Sequence, residues 1–265
     1  MKETMKAANS PAGFERRRQL GLALRMLAAV GALLAVWALA AFLVAKPFLP
    51  SPQAALRRAM ELCADGSLIL HTLVSARRVF LAIACALPPA VAIGIAAGRS
   101  PKADALVSPL LYLIHPLPKI AFLPLVMLFF GVGDPSKVII IALIIFSQLC
   151  FSARDAARRT PEALVDAVRS MGAGSAATLR HVILPQVMPE LFTALRISLG
   201  SGIAVLFFSE TFATAEGLGW LVMDAWSRVN YPDMYAAILA LGAFGLVCFG
   251  LLDALEWLVC RWKRA

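Results

Sequence analysis

Charge is what this chain has least of. Asp, Glu, Lys and Arg supply 15% of its 265 residues against 60% hydrophobic residues, and mean hydropathy is +0.79. A soluble domain carries roughly a quarter charged residues, so a globule facing water all round is excluded. Acids are missing from the middle of every long apolar run. That weighs against an ion-coupled secondary transporter, the main competing class, because ion coupling usually needs a carboxylate deep in a span. No G-x-x-x-x-G-K-[S/T] sequence occurs, so the chain is not expected to cradle ATP. The five cysteines (Cys63, Cys85, Cys150, Cys248, Cys260) lack metal-ligand spacing, and the three histidines (His71, His115, His181) stand far apart. A metal-dependent membrane enzyme has nothing to build on.

What the chain does have is long apolar runs. At about 20 apolar residues per crossing, six spans are expected, at 26–45, 79–98, 105–133, 138–153, 191–209 and 234–252. The expected fold class is an all-α membrane protein with a domain at 26–258, and with tails at 1–25 and 259–265. The first run exceeds the about 7–15 residues of a signal-peptide core, so it reads as a retained anchor, although Ala38-Leu39-Ala40 mimics a cleavage site. Of the 25 basic residues, 16 fall on the segments that are inner if the N-terminus is inside, and 7 on the outer ones (Lys46, Arg57, Arg58, Arg77, Arg78, Lys137, Arg228). Cytoplasmic loops hold the Lys and Arg excess, so both termini are expected inside. The net charge of +9 is this topology signal, not a nucleic-acid surface. Arg57, Arg58, Arg77 and Arg78 run against the rule, and 51–78 reads as an amphipathic external segment.

Between the fourth and fifth spans, 154–188 is too polar to insert. Thr160-Pro161-Glu162 is a helix start: a capping hydroxyl, a proline at the first position and an acid at the positive end of the dipole. Leu164, Val168 and Met171 follow on one face. Gly172 then ends the helix in the conformation that glycine tolerates best. A second short helix is expected from Ser175, with Leu179, Val182 and Ile183 on its apolar side, stopped by Pro185. Pro189 would open the fifth span. A plain loop on lipid headgroups is the alternative, but helices this short do not hold alone in water, so something must pack there.

The stretch "DAVRSMGAGSAATLRHVILP" at 166–185 resembles the cytoplasmic signature of ABC-importer permeases. Asp166-Ala167-Val168 stands for its Glu-Ala-Ala, Gly172 for its glycine, and Leu184-Pro185 closes it. "HTLVSARRV", "HPLPKIAFLPLVMLFFGVGDPSKV", "LFTALRISLG" and "AEGLGWLV" are similar to the nitrate/sulfonate/taurine-type branch, over roughly 48–258. The resemblance implies the MetI-like fold of type I ABC importers, in which Asp166, Ala167, Gly172, Ala173, Gly174, Leu184 and Pro185 meet ABC ATPase subunits. It also implies an extracytoplasmic substrate-binding protein, a second permease chain, a bacterial inner-membrane location, and a small oxyanion substrate such as nitrate, a sulfonate or taurine. ATP and Mg would sit on the ATPase, with no cofactor on this chain. Gly217-Leu218-Gly219 is expected as a turn at the outer surface, near a docked binding protein or as a plain hairpin. Two departures stand out: His115 where Arg is usual in that branch, and Lys119 where Pro is usual.

Ionisable groups at membrane depth are costly and point to function. His115 and Lys119 lie one turn apart in the Pro-broken third span, on a common face if helical, and Ser147 adds polar lining. Arg196 and Glu210 of the fifth span complete the candidate pathway. For these two a fixed partner competes: a carboxylate or helix end for Arg196, an arginine of the external segment for Glu210.

Overall fold

Helices begin where the sequence offers both a cap and a proline. Ser51, Ser100 and Asn230 each accept a backbone N–H with the side chain, and a proline follows in the first or second helical position. The computed structural model describes residues 11–264. The helices are α1 (Pro11–Val44), α2 (Pro52–Ala64), α3 (Ser67–Arg99), α4 (Pro101–Ile114), α5 (Leu123–Phe130), α6 (Asp134–Arg158), α7 (Glu162–Ser170), α8 (Ser175–Thr178), α9 (Leu184–Glu210), α10 (Leu218–Ser227) and α11 (Tyr231–Val259). Tight 3₁₀ turns at Lys119–Phe122 and Arg261–Arg264 and a π turn at Leu179–Ile183 complete the path. Among the described residues there is no strand.

Among the described residues, four helices are long and apolar enough to cross a membrane: Ser67–Arg99, Asp134–Arg158, Ser175–Glu210 and Tyr231–Val259. The run at 26–45 lies in the second half of α1, which is helical throughout Pro11–Val44. The run at 105–133 is not a straight crossing. Helix α4 and the segment Lys119–Phe130 meet at 85°, because Pro116 and Pro118 have no N–H with which to continue the ladder.

Pro185 does not stop a helix as expected. The chain stays helical from Ser175 to Glu210. Proline normally collides with the carbonyl four residues earlier, but the turn just before it is widened, with Leu184 donating back to the Leu179 carbonyl. A π turn of this kind is a common insertion within α-helices. Pro185 therefore enters at the first turn of α9, where no N–H is missed.

The core seam runs between α3 and α6. In lipid, helices gain no hydrophobic drive from pairing, so close backbone approach through small residues supplies the attraction. Gly94 and Gly98, one turn apart, lie on Ala153 and Ala157 of α6. A Cβ on Gly94 would stand 2.6 Å from the Ala153 Cβ and 2.7 Å from the Cys150 carbonyl oxygen. Helix α6 in turn packs on α9, and α11 presents Leu246 and Val247 outward. Helix α1 is tied in by Trp37, whose Nε1–H donates to the Pro50 carbonyl at 3.1 Å and whose ring stacks on Tyr235 at 5.5 Å.

Candidate functional site

The polar stretch between α6 and α9 folds as an elbow. Its inner anchor is Val165, fully buried. Its outer anchor is a two-armed ion pair: the Arg99 Nη atoms at the end of α3 reach Glu162 Oε1 and Oε2 at 3.0 and 3.1 Å. The Arg99 guanidinium holds the Glu162 carboxyl below the usual carboxylate range. Helix α7 ends as the sequence implied. Gly172 has φ +85°, its N–H donates to the Arg169 carbonyl at 2.9 Å, and the Ala173 N–H donates to the Val168 carbonyl at 3.2 Å. This paired closure satisfies carbonyls that a helix end otherwise leaves orphaned.

Asp166, Ala167, Gly172 and Gly174 are exposed around the elbow, and Ala173 is half-buried. Leu184 and Pro185 sit half-buried at the base of α9. Met171 is 77% exposed at the tip. Nothing lies within 4 Å of where a Cβ on Gly172 would sit, so the constraint there is backbone conformation alone. Gly172→Val should therefore cost about 1–2 kcal/mol locally and distort the elbow without disturbing the apolar seams. The expected result is normal membrane insertion with loss of ATPase co-purification. Retention of a normal complex would show that the elbow shape is immaterial.

At the bend, His115 and Lys119 do not share a helical face. The Lys119 Nζ donates instead to the His115 carbonyl at 2.5 Å, one of the last carbonyls of α4. The His115 ring is exposed and meets Phe151 edge-on at 4.9 Å, beside Tyr112, which meets Phe151 at 5.3 Å. Ser147 is buried and donates to the Ile144 carbonyl of its own helix at 3.1 Å.

Arg196 and Glu210 both have fixed partners. Arg196 Nε meets Asp253 Oδ1 at 2.7 Å and a second arm pairs with Glu256, which also receives Lys263 at 3.3 Å. Glu210 has no exposure at all. It accepts from Arg78 Nη1 at 2.6 Å, from Ser75 Oγ at 2.9 Å and from the Gly219 N–H at 2.9 Å. Arg78 continues to Asp134 at 2.7 Å and to the Glu216 carbonyl at 3.0 Å.

The Gly217-Leu218-Gly219 turn belongs to the same junction and is not at the surface: all three residues are buried. The Gly217 N–H donates to His71 Nδ1 at 3.1 Å, and the Leu218 N–H to Ser75 Oγ at 2.9 Å. Glu210 thus meets the positive end of α10, where a carboxylate is favoured. Gly217 has φ +115°, and a Cβ on Gly219 would stand 2.5 Å from the Phe207 carbonyl oxygen. The two glycines are there so that the turn can close over the carboxylate.

The arginine of the external segment expected as one alternative for Glu210 is Arg78; sequence reasoning missed the rest of the junction, Ser75, Asp134 and the Gly217-Leu218-Gly219 turn. Ion pairs at the junction and beside it explain the charge anomaly. Arg57 pairs with Glu61, Arg58 with Glu61 and Asp233, and Arg77 and Arg78 with Asp134. The four arginines that run against the charge rule are all matched by acids.

Long apolar helices joined by an exposed polar elbow define a multi-pass membrane protein. The chain belongs to the family of binding-protein-dependent transport system inner membrane components, whose model matches residues 90–261. It is 35% identical over 236 residues to the taurine transport system permease protein TauC of Escherichia coli K12, covering 86% of this chain and 85% of that one. It is 26% identical over 235 residues to the putative aliphatic sulfonates transport permease protein SsuC of Bacillus subtilis 168, covering 88% and 85%. A structure of the MetNI methionine ABC transporter in inward-facing conformations aligns with TM-score 0.55 over 76% of this chain and 96% of that one, at 19% identity, and shows the shared fold. This is an ABC-importer permease subunit and not an enzyme; ATP hydrolysis is the task of a separate component.

Proposed function

We propose that this permease imports a small oxyanion of the sulfonate type. The substrate class rests on the names of its relatives, a taurine and an aliphatic-sulfonate permease; nitrate is a second member of the same chemical class. Two copies form the pathway in the bacterial inner membrane, with six spans per chain, both termini in the cytoplasm and lipid around the outward apolar faces. A substrate-binding protein delivers the solute outside. ABC ATPase subunits, which hold ATP and Mg, grip the elbow made by Asp166, Ala167, Gly172, Ala173 and Gly174 above Leu184 and Pro185. This chain holds no cofactor.

The observation that carries the reading is the elbow itself. It is a nine-residue helix with a closed left-handed end, fixed to α3 by Arg99 and to the core by Val165, and it keeps an apolar tip at Met171 exposed. A plain loop needs none of that fixation. Impermeant thiol reagents test the orientation, in a background with Cys63 replaced by alanine. Cysteines at Asp134 or Asp224 should react from outside, and cysteines at Ser170 or Lys263 only after the membrane is opened. Labelling at Ser170 in intact cells overturns both the orientation and the ATPase seat. Of the five candidate pathway residues, Arg196 and Glu210 have their charges matched within the chain and Ser147 is buried against its own helix, which leaves His115 and Lys119 for the solute.

A further inference from the structure

We propose that Lys119 is the group that receives the negative charge of the passing solute, at the bend between α4 and the Lys119–Phe122 turn. The proposal rests on the permease reading and assigns the charge-bearing contact to one side chain. It starts from an accounting of buried cations. Among the described residues, Arg58, Arg78, Arg99, Arg154 and Arg196 are buried or half-buried, and each lies against a carboxylate: Asp233, Glu210, Glu162, Asp104 and Asp253 respectively. Lys137 is fully buried and closes on the Val132 and Gly133 carbonyls at 2.9 and 3.4 Å. No solute can reach it. Lys119 differs from all of these. Unlike Lys137 it keeps 9% of its surface exposed, and unlike the arginines it has no carboxylate among the described residues within ion-pair distance; the one hydrogen bond it makes to them goes to the His115 carbonyl. An ammonium has three N–H donors, so two are left for something else.

The place argues the same way. Non-helical backbone at membrane depth is tolerated only where protein buries it or where it lines a water-filled cavity. Here the 85° break leaves His115, Pro116, Leu117 and Pro118 exposed, so this chain does not itself bury it. Interrupted helices of this kind carry binding sites in transporters because their ends bring backbone dipoles to the solute. The alternative duty for Lys119 is to cap the last carbonyls of α4. A capping lysine needs one donor and no water. A strongly hydrated point charge on a flexible stem suits a solute with a compact anionic head, such as a sulfonate, held briefly and released.

Two measurements on the full transporter separate the duties. In the first, cells expressing the permease with its own ATPase and binding protein take up labelled taurine or ethanesulfonate. Lys119→Met should abolish uptake while the complex still assembles and the loaded binding protein still stimulates ATP hydrolysis; Lys119→Arg should restore uptake. In the second, all five cysteines are replaced and His115→Cys is reacted with sulfonate-bearing and ammonium-bearing methanethiosulfonates. The ratio of anionic to cationic reaction rates should fall about tenfold when Lys119→Met is added, because the local cation no longer concentrates anions. An unchanged ratio overturns the proposal, and so does a position that neither reagent reaches, which would mean a dry bend. If the unmutated transporter moves no sulfonate but the ratio still falls, the substrate class of the preceding section fails and the anion contact at Lys119 stands.

Discussion

Arg78→Met is expected to destabilise the purified permease by about 3–5 kcal/mol, the range for removing one partner of a buried ion pair. Glu210 has no exposure and Arg78 only 2%, so water cannot replace the lost guanidinium. The remaining donors, Ser75 and the Gly219 N–H, hold the carboxylate in place but do not balance its charge. Glu210→Gln should be costly for the converse reason, since Arg78 keeps only Asp134 and the Glu216 carbonyl. The two losses should not add, because the double variant leaves neither charge stranded. Thermal unfolding in detergent, with the four proteins as a cycle, reads this directly. An Arg78→Met protein as stable as the parent would mean that the junction carries no net energy.

The second large effect is expected at Gly94 and Gly98. Leucine at either position must push α3 off α6, since Ala153, Ala157 and backbone atoms occupy the space. Overpacking in a tight seam costs about 1–3 kcal/mol where the neighbours can shift. Here several of those neighbours are main chain, so the upper end is expected, and the pair together should prevent accumulation in the membrane. Gly200→Ala and Gly242→Ala are the controls: nothing lies within 4 Å of either added Cβ, and both should accumulate normally. Equal yields for Gly98→Leu and Gly242→Ala would show that close approach is not what holds the seam.

Hydropathy made most of the crossing helices legible, because a lipid-facing helix must be apolar along its whole depth. The runs at 79–98, 138–153 and 234–252 lie inside α3, α6 and α11. What hydropathy did not give was their length, since each helix runs on into polar residues that tertiary ion pairs support, as Arg99 does with Glu162. Gly172 was readable because a single backbone angle decides it. Pro185 was misread because the proline rule concerns the carbonyl four residues back, and a widened turn had moved that carbonyl away. An arginine of the external segment was a legible alternative for Glu210, but which one, and the part of Ser75, were not: they lie 132 and 135 residues away in sequence, and no local pattern singles out a partner that far off. The Gly94–Gly98 spacing was in plain view, but its meaning depends on Ala153 and Ala157 facing it.

The helical rod from Ser175 to Glu210 has 36 residues, about 54 Å at helical rise, which exceeds the about 40–45 Å of a bilayer with its headgroups. One end begins beside Gly174 in the elbow, and the other is bolted by Glu210 to Arg78, Ser75 and Gly219. Its two compliant places, the π turn and Pro189, both lie within fifteen residues of the elbow end; the remainder is stiff. Such a member behaves as a lever. Force applied at the elbow end arrives as torque at the far end, with little taken up on the way. The two ends of this rod therefore share one mechanical degree of freedom, and a substitution that loosens either end is felt as play at the other.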